Sequence, residues 1–295
     1  MNKENFFLKI INETLSNNAF IGDDCAYLKD LNLLISQDTL VEGVHFLTSC
    51  FTPKEIGKKA VLVNISDILA GGGIPKYITI SLSGKLDEIF IKNFYEGVNE
   101  ICKKFKIKVI GGDLTGGEKI TVSICIMGDT ANLNISSRKN AKEGDFVYIA
   151  GFHGSSAKGL ELLLKGERDK ENEFIKAHIE PVLYPEISKA IASKAKYPYV
   201  MMDTSDGLFD ALNKVSKASK KGFEIKYDKI PKKTDDKNLV LFGGEDFGLL
   251  ICLNPKDSYI AEELNLQKAG IVNSSNKIVM DGEILDTDKS FNHFK

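Results

Sequence analysis

Arginine and paired cysteines are scarce in this chain, and their scarcity limits the kind of protein that it can be. Of 39 basic residues, only Arg138 and Arg168 are arginine. A guanidinium presents a planar fork that suits carboxylate and phosphate, so each arginine in so lysine-rich a chain is a candidate for a specific role. The five cysteines form no Cys-x-x-Cys pair, which is typical of a reduced compartment rather than of a disulfide scaffold. We therefore expect a cytoplasmic protein.

Long apolar runs and an excess of one charge are also absent. No stretch of the sequence approaches the roughly 20 apolar residues that a membrane-spanning helix needs. Residues 1–20 carry apolar side chains at helical spacing with charged residues between them, which predicts an amphipathic helix rather than a signal peptide. The net charge is −2, so we expect binding neither to nucleic acid nor to a membrane surface.

The length and composition predict a globular protein with a sizeable core. The chain has 295 residues, 43% of them hydrophobic, which suggests two domains or one large one. Predicted strands and helices are mixed in both halves, so we predict an α/β (α+β) fold. The polar, irregular segment 131–144 separates the halves, and we place an N-terminal domain at 1–137 and a C-terminal domain at 138–295.

What the sequence does contain is a series of short aspartate motifs, most of which follow an apolar run. They are Gly22-Asp23-Asp24, Ser36-Gln37-Asp38, Ser66-Asp67, Gly111-Gly112-Asp113 and Asp203-Thr204-Ser205-Asp206. Carboxylates placed where strands end point into a common crevice. Several oxygen ligands in one crevice are what Mg²⁺ and polyphosphate require. The sequence therefore predicts a site for metal-bound phosphate.

The local patterns assign these motifs to strand ends and to one helix. Residues 31–36 and 107–110 are predicted strands, the second one buried, that end at their aspartate motifs. Residues 53–70 are predicted to form a helix that begins near Pro53 and carries Asp67 near its C-terminal end. Residues 199–202 form a further predicted strand, after which Ser205-Asp206 would cap a helix.

Most of the motifs, taken one at a time, also have an ordinary explanation. Gly22-Asp23-Asp24 is equally typical of an exposed acidic turn, and Gly111-Gly112-Asp113 of a hairpin turn. Ser205-Asp206 fits a helix cap, and His45 fits a structural histidine in an apolar context. Asp67 is harder to explain in this way, because a carboxylate inside an apolar helix needs a cation or several donors to stay ionised.

A conventional nucleotide-binding loop is missing from the chain. Residues 151–159 resemble a P-loop superficially but lack its Gly-Lys-Ser/Thr ending. The sequence also has no His-Glu-x-x-His motif, nucleophile elbow or zinc-ligand cluster. The sequence therefore predicts that phosphate is held through metal ions on the dispersed carboxylates, without a P-loop.

Taken together and in this order, the motifs resemble those of the thiamine-monophosphate kinase family. This family belongs to an ATP-binding superfamily with aminoimidazole ribonucleotide synthetase and selenophosphate synthetase. The resemblance runs over residues 22–294, and its most specific parts are residues 22–26 and 41–46. It implies a kinase that transfers the γ-phosphoryl group of ATP in line to thiamine monophosphate, giving thiamine diphosphate. It also implies several Mg²⁺ ions per site, with ATP as co-substrate.

The same resemblance implies an architecture. The N-terminal domain would pair with its twin in a homodimer built around a shared β-barrel, and the C-terminal α/β domain would pack beside it. ATP and the Mg²⁺ ions would lie in the cleft between the two domains.

The resemblance also implies roles for individual residues. The positions that match metal ligands are Asp24, Ser36, Gln37, Asp38, Asp67, Asp113, Asp203 and Asp206. The positions that match ATP contacts are Phe105, Gly112, Asp113, Arg138 and Ser205. The positions that match the thiamine phosphate site are His45, Glu245 and Phe291. Catalysis would rest on Asp38 and Asp113, which act through the metal, and on Arg138.

Two departures from the family pattern affect these expectations. Phe247-Gly248 stands where Tyr-Glu is usual, and no arginine follows Asp113, so that Arg138 gains importance.

The residues leave two alternative functions open. One is another enzyme of the superfamily, although residues 1–20 lack the reactive cysteine of selenophosphate synthetase. The other is a non-catalytic protein that binds a nucleotide or thiamine phosphate, which ADP release would distinguish.

Overall fold

The structure is a computed structural model that describes residues 3–15 and 20–285. The predicted amphipathic helix is present as α1 (Lys3–Thr14), and its apolar side chains Phe6 and Ile10 are exposed. Within the described ranges, no helix is long and apolar enough to cross a membrane.

The first half of the chain forms a five-stranded sheet with two helices. Its strands are β1 (Ala26–Leu28), β2 (Leu33–Val41), β3 (Ile74–Gly84), β4 (Lys108–Gly116) and β5 (Thr121–Asp129). Their order is β1-β2-β5-β3-β4, and only β3 and β4 pair in parallel. Helix α2 (Pro53–Gly71) packs on one face of the sheet, and α3 (Glu88–Phe105) packs against α2 and forms the crossover that parallel pairing of β3 with β4 requires.

Helix α2 lies at the centre of the molecule, where it was predicted. Thr52 and Glu55 form a capping box at its start, Pro53 is its first residue, and Gly72 ends it in the left-handed conformation. The helix is buried on nearly all sides because it packs on the first sheet and also on elements of the second half. Side chains carried by α2 can therefore reach a site between the two halves.

A second sheet of seven strands forms the rest of the core. Its strands are β6 (Phe146–Ala150), β7 (Val200–Asp203), β8 (Gly222–Ile225), β9 (Leu249–Leu253), β10 (Lys268–Asn273), β11 (Ile278–Met280) and β12 (Glu283–Ile284). Their order is β12-β11-β8-β10-β6-β9-β7. The accompanying helices are α4 (Ser155–Leu164), α5 (Glu173–Ile179), α6 (Pro185–Lys194), α7 (Leu208–Ser219), α8 (Lys237–Phe242) and α9 (Ser258–Glu263).

These two sheets confirm a mixed α/β fold. The first sheet is open in the single chain, and the described residues contain no closed barrel. The dimer-spanning barrel and the domain limits of 1–137 and 138–295 therefore stay predictions.

The prediction that Ser36-Gln37-Asp38 follows the end of a strand is wrong. Strand β2 continues through these residues to Val41, because it pairs with the whole of β5, from Leu33 opposite Asp129 to Val41 opposite Thr121. Side chains of a strand alternate between its two faces. Asp38 and Gln37 therefore lie on opposite sides of the sheet.

The prediction of a buried strand over 107–110 is also wrong in two respects. Strand β4 includes Gly111-Gly112-Asp113, and all of its residues are exposed. Strand β4 lies at the edge of the sheet, where no described strand pairs with its outer side, and because residues on both of its faces are exposed, no described helix covers it either. Apolar side chains at Val109, Ile110 and Leu114 are consequently 45–59% exposed.

Candidate active site

Three aspartates from distant parts of the sequence converge between the two sheets. Asp24 precedes β1, Asp67 lies on α2 and Asp203 ends β7. One carboxylate oxygen from each lies within 4.8 Å of the others. Three hard oxygen ligands at this separation are suited to a divalent cation. The structure therefore brings together three of the residues that the motifs predicted as metal ligands.

Serine hydroxyls orient two of these carboxylates. Ser36 Oγ donates to Asp67 Oδ2 at 2.5 Å. Ser66 and Ser205 donate to the two oxygens of Asp203, at 2.7 and 3.0 Å. The N-cap explanation of Ser205-Asp206 is thus wrong, because Gly207 precedes α7 and makes no side-chain cap bond. The Ser205 hydroxyl donates to Asp203 in the acidic cluster instead.

Asp38 faces the same site, whereas Gln37 does not. Asp38 lies opposite the buried Ile124 in the strand pairing, so its side chain is on the face that α2 covers. Its backbone N–H donates to Asn64 Oδ1 on α2 at 3.0 Å. Gln37 is exposed on the other face, where its Nε2 donates to Ser123 Oγ. The Gln37 side chain therefore does not reach the cluster.

The pKa values of the carboxyl groups in this cluster are raised, as is typical of a site that a cation stabilises. Burial raises the pKa of Asp38 to about 6, and the charges of Asp203 and Asp206 add to the effect. Burial also raises the pKa of Asp24 to about 6, although Arg138 opposes that shift. The pKa of Asp67 is raised by burial and then by Asp38. Ionised carboxylates gathered in this way are unfavourable unless a cation compensates them.

Arg138 joins the cluster directly. Its Nη2 donates to Asp24 Oδ1 at 2.7 Å, and its Nη1 donates to the Gly22 carbonyl at 3.2 Å. Asp23 accepts from the Arg138 backbone N–H and from Ser137 Oγ, which fixes this segment. The buried Arg138 Nε has no hydrogen-bond partner among the described residues. An unpaired buried donor beside the acidic cluster fits an anionic ligand such as a phosphate group.

A cleft of about 340 Å³ opens beside the cluster. Its polar walls include Asp38, His45, Asp67, Ser205, Asp206 and Glu245. Its apolar walls include Val44, Val63, Leu160 and Phe247. The cleft thus joins the predicted metal-binding residues to two of the three residues predicted for substrate. The third, Phe291, lies outside the described residues.

Glu245 enters this cleft from a constrained loop. Its φ is +64°, which is uncommon for a residue with a side chain, and its N–H donates to Ser205 O at 2.6 Å. Its carboxylate Oε2 lies 3.1 Å from Lys59 Nζ and 3.4 Å from His178 Nδ1. Burial and the nearby Lys59 lower the pKa of His178 to about 2, so this histidine is neutral.

Sequence reasoning missed Lys59, His178 and Phe247 as parts of the site. Lys59 had a usable signal, since a lysine in an apolar helix is as unusual as the aspartate at position 67. His178 and Phe247 had none, because only the packing of α5 and the loop before β9 brings them to the cleft.

Asp206 already has a cation as its neighbour. Lys214 Nζ lies 2.8 Å from Asp206 and 2.7 Å from Asp210. Although burial acts in the opposite direction, these two carboxylates raise the pKa of Lys214. Asp206 thus lines the cleft with its charge compensated, in contrast to Asp38.

The segment that resembles a P-loop is occupied by a side chain of the protein. Asp246 accepts from the backbone N–H groups of Gly154 at 2.6 Å and Ser156 at 2.8 Å, at the start of α4. A carboxylate here satisfies the helix N-terminus in the way that a phosphate would. This geometry agrees with the conclusion from the sequence that residues 151–159 are not a P-loop.

Three predicted ATP contacts do not join the cluster within one chain. Gly112 and Asp113 lie on the edge strand β4, and Phe105 ends α3 just before it. Asp113 pairs with Ser81, which lies on the face opposite to Asp38. Strands β5 and β3 also separate it from β2. The structure of the single chain therefore leaves this part of the predicted site apart.

Comparison with known proteins agrees with this fold and cleft. A family model described as AIR synthase related protein, N-terminal domain, matches residues 22–130, so the segment that contains the first sheet is similar to that class of proteins. Thiamine-monophosphate kinase of Aquifex aeolicus (strain VF5) is 34% identical over 97% of this chain and 96% of its own length. The enzyme of that name from Bacillus subtilis (strain 168) is 35% identical over 93% of each chain. The chain belongs to the thiamine-monophosphate kinase family.

A solved structure described as AaThiL complexed with AMPPCP and TMP is also similar to this chain. The two superpose with a TM-score of 0.88 at 32% sequence identity, covering 98% of this chain and 96% of the other. The family resemblance thus extends over both sheets and the cleft between them.

Proposed function

We propose that this protein phosphorylates thiamine monophosphate with ATP, giving thiamine diphosphate and ADP by direct in-line transfer. The observation that carries the proposal is the buried cluster of Asp24, Asp67 and Asp203 with Arg138, placed beside a cleft lined by His45 and Glu245. Membership of the kinase family and the similar protein complexed with AMPPCP and TMP support the same substrates.

The donor set fits Mg²⁺. Asp24, Asp67 and Asp203, with Asp38 beside them, would hold several ions, and Asp206 would hold a further one once Lys214 moves aside. Bound Mg²⁺ would supply charge neutralisation between the two anionic phosphates and would align them for attack. Oxygen-only ligands favour Mg²⁺ over softer metals.

The residues of the chain then have positioning roles. The acceptor phosphate is already ionised at neutral pH, so no strong general base is needed. Arg138 would direct its unpaired Nε towards a phosphate oxygen of ATP, which a planar guanidinium suits. Ser205 would add a hydroxyl beside Asp203. The apolar walls of the cleft, including Val63 and Leu160, would reduce the water around the reacting groups.

A homodimer would complete the site. Strand β4 exposes three large apolar side chains and an edge that no described strand pairs with, which in a monomer is an association hazard. Phe105, Gly112 and Asp113 lie along this edge, away from the cluster of their own chain. A second copy that covers β4 would bring these residues towards the partner's cluster and could close the open sheet into the predicted barrel.

The test is ADP release by the wild-type protein with ATP, Mg²⁺ and alternative acceptors side by side. We expect ADP with thiamine monophosphate, and none above the ATPase background with thiamine or with the substrate of aminoimidazole ribonucleotide synthetase. ADP release with the latter alone would instead favour another enzyme of the superfamily. Tight ATP binding without ADP release from any acceptor would favour the non-catalytic alternative.

A further inference from the structure

Lys59 is a fully buried charged side chain outside the predicted site residues. Its exposed fraction is 0%, although it lies on α2 among apolar residues. A lysine at such a position is costly unless its charge is paired. Its Nζ lies 3.1 Å from Glu245 Oε2 and 3.4 Å from the His45 carbonyl oxygen, and it stands over the Phe51 ring at 5.1 Å.

These contacts join Lys59 to both described residues that the family resemblance assigns to the substrate. Glu245 comes from the loop before β9, and His45 from the loop after β2. The two loops belong to different halves of the chain, and Lys59 on the central helix contacts each of them. The lysine is therefore placed to fix their relative position.

The described contacts to the Glu245 carboxylate involve one of its two oxygens. Lys59 and His178 both approach Oε2, and no hydrogen bond to Oε1 occurs among the described residues. The Glu245 side chain is 26% exposed and lines the cleft. One carboxylate oxygen is thus held by the protein, while the other is available to a ligand.

We propose that Lys59 is a positioning residue, which holds Glu245 so that its Oε1 accepts a hydrogen bond from an amino group on the ring end of the acceptor substrate. The inference rests on the proposed function, because the aminopyrimidine ring of thiamine monophosphate carries such a group. The apolar walls Val44, Val63 and Leu160 suit a flat heteroaromatic ring. A carboxylate fixed by Lys59 selects for a hydrogen-bond donor at this position and against a second acceptor.

The experiment compares two acceptors across a mutant cycle of K59M, E245Q and K59M/E245Q. The second acceptor is oxythiamine phosphate, in which a carbonyl oxygen replaces the ring amino group. We expect wild type to prefer thiamine phosphate in kcat/KM by about 10- to 100-fold, the effect of one hydrogen bond to a charged group. K59M and E245Q should each lose most of this preference and raise the KM for thiamine phosphate, with the KM for ATP within about twofold of wild type.

The double variant separates positioning from general stability. If Lys59 acts through Glu245, K59M/E245Q should have the kcat/KM and the selectivity of E245Q, since the two effects do not add. If K59M alone fails to fold, the comparison of K59M/E245Q with E245Q still tests the role of Lys59, because the double variant leaves no unpaired carboxylate. The control is K58M, on the same helix, which removes a lysine paired with Glu100 and Glu180 away from the cleft. It should keep wild-type selectivity.

The outcomes distinguish a failure of the role of Lys59 from a failure of the proposed function. Wild-type selectivity in K59M, or additive losses in the double variant, would overturn the role of Lys59 while leaving the kinase proposal intact. If wild type shows neither ADP release with thiamine phosphate nor calorimetric binding of it, the proposed function and this inference both fail.

Discussion

At the scale of single residues, the carboxylates of the acidic cluster serve the proposed site but destabilise the folded protein when no cation is bound. Burial and neighbouring carboxylates raise the pKa of Asp38, so its ionised form is unfavourable in the folded protein without a cation. A natural protein tolerates such a group where it serves a site. The same reasoning applies to Asp24 and Asp67.

Replacing Asp38 by Asn should therefore change activity and stability in opposite directions. We expect kcat/KM to fall on the order of 100- to 1,000-fold at saturating Mg²⁺, because charge stabilisation is lost. Without Mg²⁺ the Tm should rise, because one of several like charges is removed. Steady-state kinetics and calorimetry measure the two effects. The control is Asp30→Asn, at an exposed aspartate between β1 and β2; wild-type turnover in D38N would contradict the proposed site.

A buried histidine predicts part of the acid sensitivity of the fold. His153 lies at the start of the segment that leads into α4, where its Nδ1–H donates to Gly151 O and its Nε2 accepts from Thr204 Oγ1. Burial lowers its pKa from 6.5 to about 4. Between these values the unfolded chain binds a proton that the native histidine does not, so the free energy of unfolding falls as the pH is lowered.

The variant His153→Gln should make this dependence shallower. Between pH 6.5 and 4, His153 accounts for a loss of about 3 kcal/mol, at 1.36 kcal/mol per pKa unit. The stability difference between wild type and the variant should shrink by that amount across this window. Urea unfolding at a series of pH values measures it. A difference that does not vary with pH would show that His153 is not held neutral.

At the scale of elements, the close approach of α2 and α3 fixes the helix that carries Asp67 and Lys59. A Cβ added at Gly97 would lie 2.0 Å from Lys54 O, and one at Gly57 would lie 2.2 Å from Phe94 O. The backbones of the two helices are therefore in contact at these glycines. Any larger side chain must push α2 away from α3.

We expect Gly97→Ala to destabilise the protein by about 1–3 kcal/mol, although alanine is the better helix former. Displacement of α2 should also lower kcat/KM, since Lys59 and Asp67 move with it. Chemical unfolding and kinetics test both effects. Asn99→Ala, at an exposed position of the same helix, is the control and should be neutral or slightly stabilising. A neutral Gly97→Ala would mean that the helices are less closely packed than described.

Elements were predicted best where local signals act alone. Helix α2 was predicted closely because Pro53 and the glycines after Ala70 mark its ends. Strand β2 was predicted too short because its pairing with β5, which no local pattern shows, keeps Ser36 and Asp38 within the strand. The expected cap at Ser205 failed for a similar reason, since Asp203 competes for the hydroxyl.

At the scale of the whole molecule, the exposed edge of β4 predicts association. Leu114 on this strand is 59% exposed. If a second copy covers the edge, Leu114→Glu should convert a dimer to a monomer, because a buried, unpaired charge opposes the interface. Activity should fall with dissociation, as Gly112 and Asp113 would no longer reach the partner's site.

Analytical ultracentrifugation together with ADP release measures this effect. Leu164→Glu is the matched control, because Leu164 is 65% exposed at the end of α4 in the other half of the chain. It should leave mass and activity unchanged. A wild-type protein that is monomeric and fully active at micromolar concentration would rule out the dimeric site.

Local patterns along the chain were enough to predict which functional groups are available and in what local setting. The order of the aspartate motifs, the absence of a P-loop, the helix that carries Asp67 and the mixed α/β class all follow from local patterns and from family resemblance. These features depend on short-range chemistry, such as caps, glycine stops and apolar periodicity, which neighbouring residues encode.

Which of these groups meet depends on how distant segments of the chain pack together. This packing brings carboxylate oxygens of Asp24, Asp67 and Asp203 within 4.8 Å of one another, turns Gln37 to the other face, and leaves Asp113 on an exposed edge. It also paired Lys59 with Glu245, which lie 186 positions apart in the sequence. The physical reason is that strand register and helix packing fix the facing of each side chain, and both depend on contacts between distant segments.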